Sequence, residues 1–487
     1  MLRALAVFLA LATPLWATTP NDAVGWAIAH QLSIPPENRP YYRYVLLADY
    51  MLPPDAEYTE QHLAAALSYA INEAASQSGL IIVPQSIANG WMLACYLPNY
   101  ASATKLSHDG SERTQLQALI DTWDGLAVDD PFFHTPSEQS GVTVPAIAEH
   151  IDPNRIQALA ELNASPSLVV RGDDLLVRLY DTHYLQFSQS PKTKPQLIAS
   201  LGGNEEASKA LDADQRTALF DSGITGKPRR IDRLQGLGGR WGTGLIVQTW
   251  DLLDESVSPL QHPLYNLIAT RPDGGELIAE KPNGLHQYAL FDFPAQTLLR
   301  EAPPELASDH TIPPPPLGPG TSRLVAGISC VRCHNQVDGW HGAGNDIQRL
   351  LAAGVDIVDD LLGRDQAESV ERIAGLYAGD FMSRLQLGRI HYEEAVRRAT
   401  IQPGLPAGLS VEETGKAVSA IYARYWWERV TGDRALAEAS RPGESFDEVF
   451  PRGSNVVIEA LRAGIAVRRA DWNQVYPAAM SEAMRIK

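Results

Sequence analysis

Residues 330–334 constrain this chain more than any other segment, because they hold two of its three cysteines and end in a histidine. On a short helix, the thiols of Cys330 and Cys333 lie one turn apart on the same side, and the imidazole of His334 follows directly. C-x-x-C-H is the sequence to which a c-type haem is attached. The thiols add to the two vinyl groups of the porphyrin, and the histidine binds the iron. The motif therefore predicts one covalent haem c with His334 as an iron ligand.

Two other chemistries use similar residues. A redox-active C-x-x-C pair is expected in a thioredoxin-like strand-to-helix setting, whereas a Pro/Gly-rich segment and the apolar residues 324–328 precede this motif. A structural zinc site would use both motif cysteines with His334 and His341. Zinc motifs usually bring a second, separate ligand pair, and the sequence contains no other C-x-x-C and no H-x₃₋₅-H. These two readings remain alternatives to the haem.

At Cys330 to His334 the chain resembles the c-type cytochromes, and this resemblance implies a monohaem domain reaching to about residue 401. Residues 274–277 and 282–285, together with 327–330, also look like large exported bacterial proteins with one haem motif near the C-terminal end. That second likeness implies an architecture but no activity. The long N-terminal part and the extended helical tail depart from a compact cytochrome c, which leaves the second iron ligand open.

The residue opposite His334 decides what such a haem does. A methionine gives a high-potential electron carrier, a histidine usually a lower potential, and an open position allows peroxide or small-gas chemistry. Met382 is the leading candidate, because it follows a predicted helix and a loop, as in compact cytochromes c. The alternatives are a pentacoordinate iron or another residue, namely His341, His391, Met480, Met484, His183 or His286. Arg332 and Arg323 are candidate partners for the haem propionates.

The first residues and the charge indicate the compartment and the partner. Residues 1–17 have the pattern of a signal peptide, with Arg3, an apolar run and a small residue at position 17. No later segment offers about 18 uninterrupted apolar residues, so no transmembrane segment is expected after cleavage. The formal net charge of −18 argues against nucleic acid and favours a basic redox partner protein. We expect a periplasmic or secreted protein.

The element pattern predicts an α+β fold that is mainly α, with a mixed N-terminal region of short strands and hairpins and an all-α C-terminal haem domain. Helices are predicted at 22–32, 41–51 and 59–77, and a further one from Ser410, which opens a capping box. The predicted domains are a signal peptide (1–17), a mixed α/β region of unknown role (18–310), a Pro-rich linker (311–320) and a helical haem domain (321–487).

Two hairpins are predicted in the mixed region. The clearest joins residues 276–280 to 285–291 through Lys-Pro-Asn-Gly, a sequence typical of a tight turn. The other joins 168–171 to 175–178, with a helix as the alternative for its second half.

The sequence favours an electron-transfer protein in which the haem carries one electron. The alternative is a haem-dependent oxidoreductase, peroxidase-like or binding small ligands at an open distal site. The large N-terminal region argues for more than simple electron shuttling. No recognisable catalytic cluster accompanies it, so whether the protein is an enzyme stays open.

Overall fold

The computed structural model describes residues 20–47, 59–75, 79–101, 105–107, 112–128, 134–139, 142–147, 152–163, 169–203, 216–219, 229–236, 243–251, 273–306, 323–334, 380–439, 441, 443–450, 453 and 455–485. The predicted signal peptide and the predicted Pro-rich linker lie outside these ranges. His341 also lies outside them.

Helices make up most of the described regular structure. In chain order they are α1 (Pro20–Ser33), α2 (Glu60–Ala74), α3 (Gln115–Val128), α4 (Pro153–Asn163), α5 (Gly172–Asp181), α6 (Tyr184–Phe187), α7 (Lys194–Ser200), α8 (Ile328–His334), α9 (Asp380–Ala399), α10 (Val411–Trp427), α11 (Gly432–Glu438), α12 (Phe446–Val449), α13 (Val456–Arg462) and α14 (Arg469–Arg485). The predicted capping box is confirmed: Ser410 and Glu413 each accept a hydrogen bond from the other's backbone N–H at the start of α10.

The strands form two larger sheets and several two-stranded pairs. They are β1 (Tyr42–Leu46), β2 (Gln85–Ile87), β3 (Met92–Tyr96), β4 (Lys105–Ser107), β5 (Glu112–Thr114), β6 (His134–Gln139), β7 (Val142–Ile147), β8 (Val169–Arg171), β9 (Arg216–Leu219), β10 (Arg229–Gln235), β11 (Leu245–Asp251), β12 (Gly274–Glu280), β13 (His286–Asp292), β14 (Leu298–Leu299), β15 (Arg429–Val430) and β16 (Val467–Arg468). The first sheet has the order β2-β3-β1-β8, and the second is antiparallel with the order β14-β13-β12-β11-β10-β9.

The second sheet lies between two apolar layers, and one of its faces packs toward the C-x-x-C-H motif. On one face, Leu277 packs with Leu197 and other apolar residues from α7. Side chains alternate along a strand, so Ile278 projects to the opposite face and joins the main core. Glu276 and Glu280 share that face with Ile278. The predicted hairpin that joins β12 to β13 is confirmed.

The main core continues across the predicted domain boundary. It combines apolar residues of α2 and α5 with Val331 of α8 and Val418 of α10. The region after residue 323 also contains β15, which pairs antiparallel with β16 through the buried valines Val430 and Val467. The protein is therefore a mixed, mainly helical α/β structure. A distinct all-α C-terminal domain is not clearly shown, since β15 and β16 pair between helices and the main core continues across the predicted boundary.

Two local predictions, one for β1 and one for the segment after β8, differ from the structure. Residues 42–46 form β1 instead of the start of the predicted helix over 41–51, because this segment lies between β3 and β8 and is buried on both faces. Residues 172–181 form α5 and not the second strand of a hairpin, so the helical alternative is confirmed there. Asp173 and Asp174 stand in the first turn of α5, where carboxylates stabilise a helix.

Candidate functional site

A tight turn presents the motif helix α8. Gly327 has a φ of +88°, and a Cβ there would lie 2.8 Å from Tyr180 Cδ1 and 2.9 Å from Tyr184 Cδ2. The position therefore requires glycine, both for its conformation and for the close approach of the two rings. Val325 N donates a hydrogen bond to Ser329 Oγ at 3.1 Å, which closes the turn.

The three motif residues lie on this one short helix but differ in exposure. Cys330 is 2% exposed, Cys333 is half-buried, and the His334 side chain is 13% exposed. Neither of these two cysteines forms a disulfide bond. The helix thus offers two sulfur atoms and an imidazole within two turns.

Glu276 of β12 contacts two of the motif residues. Its Oε1 lies 3.7 Å from His334 Nε2, and its carboxyl accepts a hydrogen bond from the Cys330 thiol. Burial, together with this neighbouring carboxylate, raises the pKa of the Cys330 thiol well above its ordinary value. Glu276 therefore holds Cys330 as a thiol and orients the imidazole that follows it.

Aromatic side chains lead from His334 into the core. The ring of Tyr288 lies 5.9 Å from that of His334, with an interplanar angle of 25°. Tyr288 Oη is 3.4 Å from His286 Nδ1, and the His286 ring stacks on Tyr392 at 3.9 Å. Tyr392 in turn shares a hydroxyl–hydroxyl hydrogen bond of 2.9 Å with Tyr69. Burial, and then the neighbouring His334 and Lys281, lower the pKa of His286, so its imidazole is neutral.

A buried carboxyl lies behind the two tyrosines that support Gly327. Glu73 accepts hydrogen bonds from Tyr184 Oη at 2.6 Å and from Tyr180 Oη at 3.2 Å. Lys281 Nζ donates to the carbonyl oxygens of Asn72 and Ala75, both at 3.1 Å, and to that of Glu73. The lysine thereby satisfies carbonyl groups at the C-terminal end of α2.

Of the other predicted iron ligands, His286 of β13 lies near His334, whose charge lowers the pKa of His286. His391 lies on α9 with its Nδ1 3.9 Å from Glu280 Oε1. Glu280 follows Glu276 by four residues on one strand, so their Cα atoms are about 13 Å apart. Met382 lies in the first turn of α9, but its side chain is outside what the structure describes.

The two predicted propionate partners have other surroundings. Arg323 forms an ion pair with Glu301 and lies 3.8 Å from Asp181. Arg332 is 8% exposed and lies near Tyr422. Burial raises the pKa of Tyr422, and the charge of Arg332 partly opposes this increase. Neither arginine is an exposed cation ready for a propionate.

A ready-made cluster of metal ligands and a membrane-spanning helix are both absent from the described residues. Among the residues that the structure describes, no three His, Cys, Asp or Glu side chains are arranged to hold a metal ion. No helix in those ranges is both long enough and apolar enough to cross a bilayer. His341, which the zinc alternative needs, is not among them.

Sequence reasoning missed Glu276, Tyr288 and Glu73, which surround the motif. A signal was present for the two carboxylates, because each interrupts an otherwise apolar buried pattern. Glu276 stands in a strand that is buried along its whole length, and Glu73 stands one helical turn after Tyr69 on the buried face of α2. Buried carboxylates are rare unless they have partners, so such positions mark candidate sites.

Comparison of the chain with protein-family models, with curated proteins and with solved structures found no match. Function is therefore inferred from the motif and from the residues around it.

Proposed function

We propose that this protein is an electron-transfer protein that carries one covalently attached haem c. Cys330 and Cys333 would form the two thioether bonds, and His334 would bind the iron. Met382 is the proposed second ligand. The haem supplies a site that accepts and releases one electron.

The observation that carries this proposal is the arrangement of α8. Two cysteines that are not in disulfide bonds stand one turn apart on a short helix, and a partly exposed imidazole follows them. This donor set fits a covalent haem. His334 Nε2 would bind the iron, so the Glu276 carboxylate, which lies 3.7 Å from this nitrogen, would have to turn away from it.

The proposed compartment is the periplasm or the exterior, as the first seventeen residues indicate. The proposed partner is a basic redox protein, since a chain with a formal net charge of −18 attracts positive surfaces. The proposal includes no nucleic acid and no transmembrane segment after signal cleavage.

The second candidate function is that of a haem-dependent oxidoreductase. The buried group of ionisable side chains next to α8 favours it, because such groups concentrate at catalytic sites. Glu73, His286 and Tyr288 are the clearest examples, each with a pKa strongly displaced by burial.

Absorption spectra of the purified protein distinguish the two functions. For the electron carrier we expect low-spin bands in both redox states that do not change when cyanide or carbon monoxide is added, because both axial positions are occupied. Met382→Ala should open one position, giving a high-spin form that binds carbon monoxide.

Met92→Leu is the matched control, since it removes a methionine of β3 that is not a candidate ligand, and its spectrum should equal that of the wild type. A wild-type protein that is already high-spin and binds cyanide would favour the oxidoreductase. An unchanged spectrum for Met382→Ala would remove Met382 from the iron.

A further inference from the structure

Glu73 is the buried carboxyl nearest the turn that carries the motif. Its residue is 0% exposed, and each carboxyl oxygen accepts a tyrosine hydroxyl, from Tyr184 at 2.6 Å and from Tyr180 at 3.2 Å. A carboxylate held this way is stabilised by two hydrogen bonds, although it is completely removed from water. Protonation of Glu73 would make one of its oxygens a donor, and a tyrosine hydroxyl can accept that hydrogen bond when its own hydrogen turns away.

The neighbours of Glu73 leave its charge only partly compensated. The titratable groups that interact with Glu73 are Tyr69 on α2 itself, Tyr180 on α5, Tyr184 on α6, Lys281 in the β12–β13 turn and Tyr288 on β13. His286 on β13 interacts with Lys281, and Tyr392 on α9 shares a hydrogen bond with Tyr69. Lys281 is the cation among them, and its ammonium donates to three backbone carbonyls. Burial lowers the pKa of Lys281 to about 8.

One layer of side chains separates Glu73 from the motif. The rings of Tyr180 and Tyr184 contact Gly327 on one side, and their hydroxyls bond Glu73 on the other. A charge on Glu73 therefore acts on groups attached to α8 through a medium of low dielectric constant, where electrostatic interactions are strong.

We propose that Glu73 takes up the proton that accompanies reduction of the haem, an inference that rests on the function proposed above. One electron enters from the donor protein, and one proton from solvent joins the Glu73 carboxylate. Oxidation reverses both steps. The net charge of this buried region then stays constant, which avoids the cost of adding an uncompensated charge away from water.

The pKa of Glu73 agrees with this role, because it lies near neutral pH. Burial raises the pKa of Glu73 to about 7, against the opposing effects of Lys281 and of the tyrosine hydroxyls. A group that titrates near neutral pH changes its proton occupancy when a nearby charge changes. A carboxyl with a pKa near 4 would stay ionised in both redox states.

The test is the pH dependence of the midpoint potential, measured spectroscopically on the haem-bearing protein with dithionite and ferricyanide. For the wild type we expect the potential to fall as the pH rises through about 7, because an ionised Glu73 disfavours the added electron. Glu73→Gln should abolish this slope and hold the potential near the wild-type value at low pH, since glutamine is neutral as protonated glutamate is. Glu73→Asp should restore a slope at a displaced pH.

Glu280→Gln is the matched control. Burial also raises the pKa of Glu280 to about 7, and the residue shares the sheet face with Glu276, but it contacts His391 and Thr243. This variant should keep the wild-type slope. A slope that survives Glu73→Gln, or a wild-type potential that does not change with pH, would overturn the proposal.

Tyr184→Phe gives a second readout if Glu73→Gln does not fold. Loss of the Tyr184 hydroxyl removes a hydrogen bond that lowers the pKa of Glu73, so the slope should move to higher pH. An unmoved slope would count against Glu73. A wild-type protein without covalent haem would instead overturn the proposed function, whereas a haem-bearing protein with the wrong slope overturns this inference alone.

Discussion

Replacing Cys330 and Cys333 together with alanine should abolish covalent haem attachment completely. Each cysteine supplies one thioether bond, so no bond to the porphyrin remains after both are removed. The double variant should lose its haem during denaturing electrophoresis, and its intact mass should equal that of the polypeptide. Each single variant should keep one thioether bond and show reduced haem content.

Cys95→Ala is the matched control for this experiment. Cys95 is the third cysteine of the chain and lies fully buried in β3. Burial raises the pKa of its thiol, so it is an unreactive core residue. This variant should carry covalent haem at the wild-type level. Covalent haem in the double variant would mean that attachment occurs at another residue.

Replacing Glu438 with alanine should destabilise the fold by about 3 kcal/mol, because the buried Arg469 keeps only one of its two carboxylate partners, Glu428, and the buried Trp472 Nε1–H loses its acceptor. The Glu438 carboxylate accepts hydrogen bonds from Arg469 Nη1 at 2.9 Å, from Arg469 Nη2 at 2.6 Å and from Trp472 Nε1 at 2.7 Å. Burial alone would lower the pKa of Arg469, but Glu438 and Glu428 outweigh it and raise the pKa above its ordinary value. Arg469 and Trp472 belong to α14, so this network ties the C-terminal helix to α11.

Glu412→Ala is the control for Glu438→Ala. Glu412 pairs with Lys416 on α10 at 2.7 Å, but both side chains are more than half exposed, so its loss should cost less than about 1 kcal/mol. Urea unfolding followed by circular dichroism measures both variants. If both variants lost the same small amount of unfolding free energy, the buried network would contribute no more to stability than a surface ion pair.

Local sequence signals were sufficient to predict some secondary-structure elements but not others. The capping box at Ser410 and the Lys-Pro-Asn-Gly turn were predicted because their signals lie within a few residues. Strand β1 was missed, because its partners β3 and β8 are distant in sequence and bury both of its faces. A central strand of this kind has no alternation of polar and apolar residues, so its period resembles that of a helix.

The same limit applies to the site. The motif itself is local, so Cys330, Cys333 and His334 could be named from their spacing. Glu276 and Glu73 reach the motif only through long-range packing of β12 and α2, which no local pattern encodes. Met382 remains a prediction, because its side chain is outside the described residues. His391 was a reasonable candidate by residue type, but the structure places it beside Glu280.

The central claim is that a haem is bound covalently to α8. The most direct test is the intact mass of the wild-type protein, purified from a host that matures c-type cytochromes and measured after denaturation. We predict a coloured protein whose mass exceeds that of the polypeptide by one haem, carried by the peptide that contains Cys330 and Cys333. A colourless protein with the mass of the polypeptide alone would contradict it.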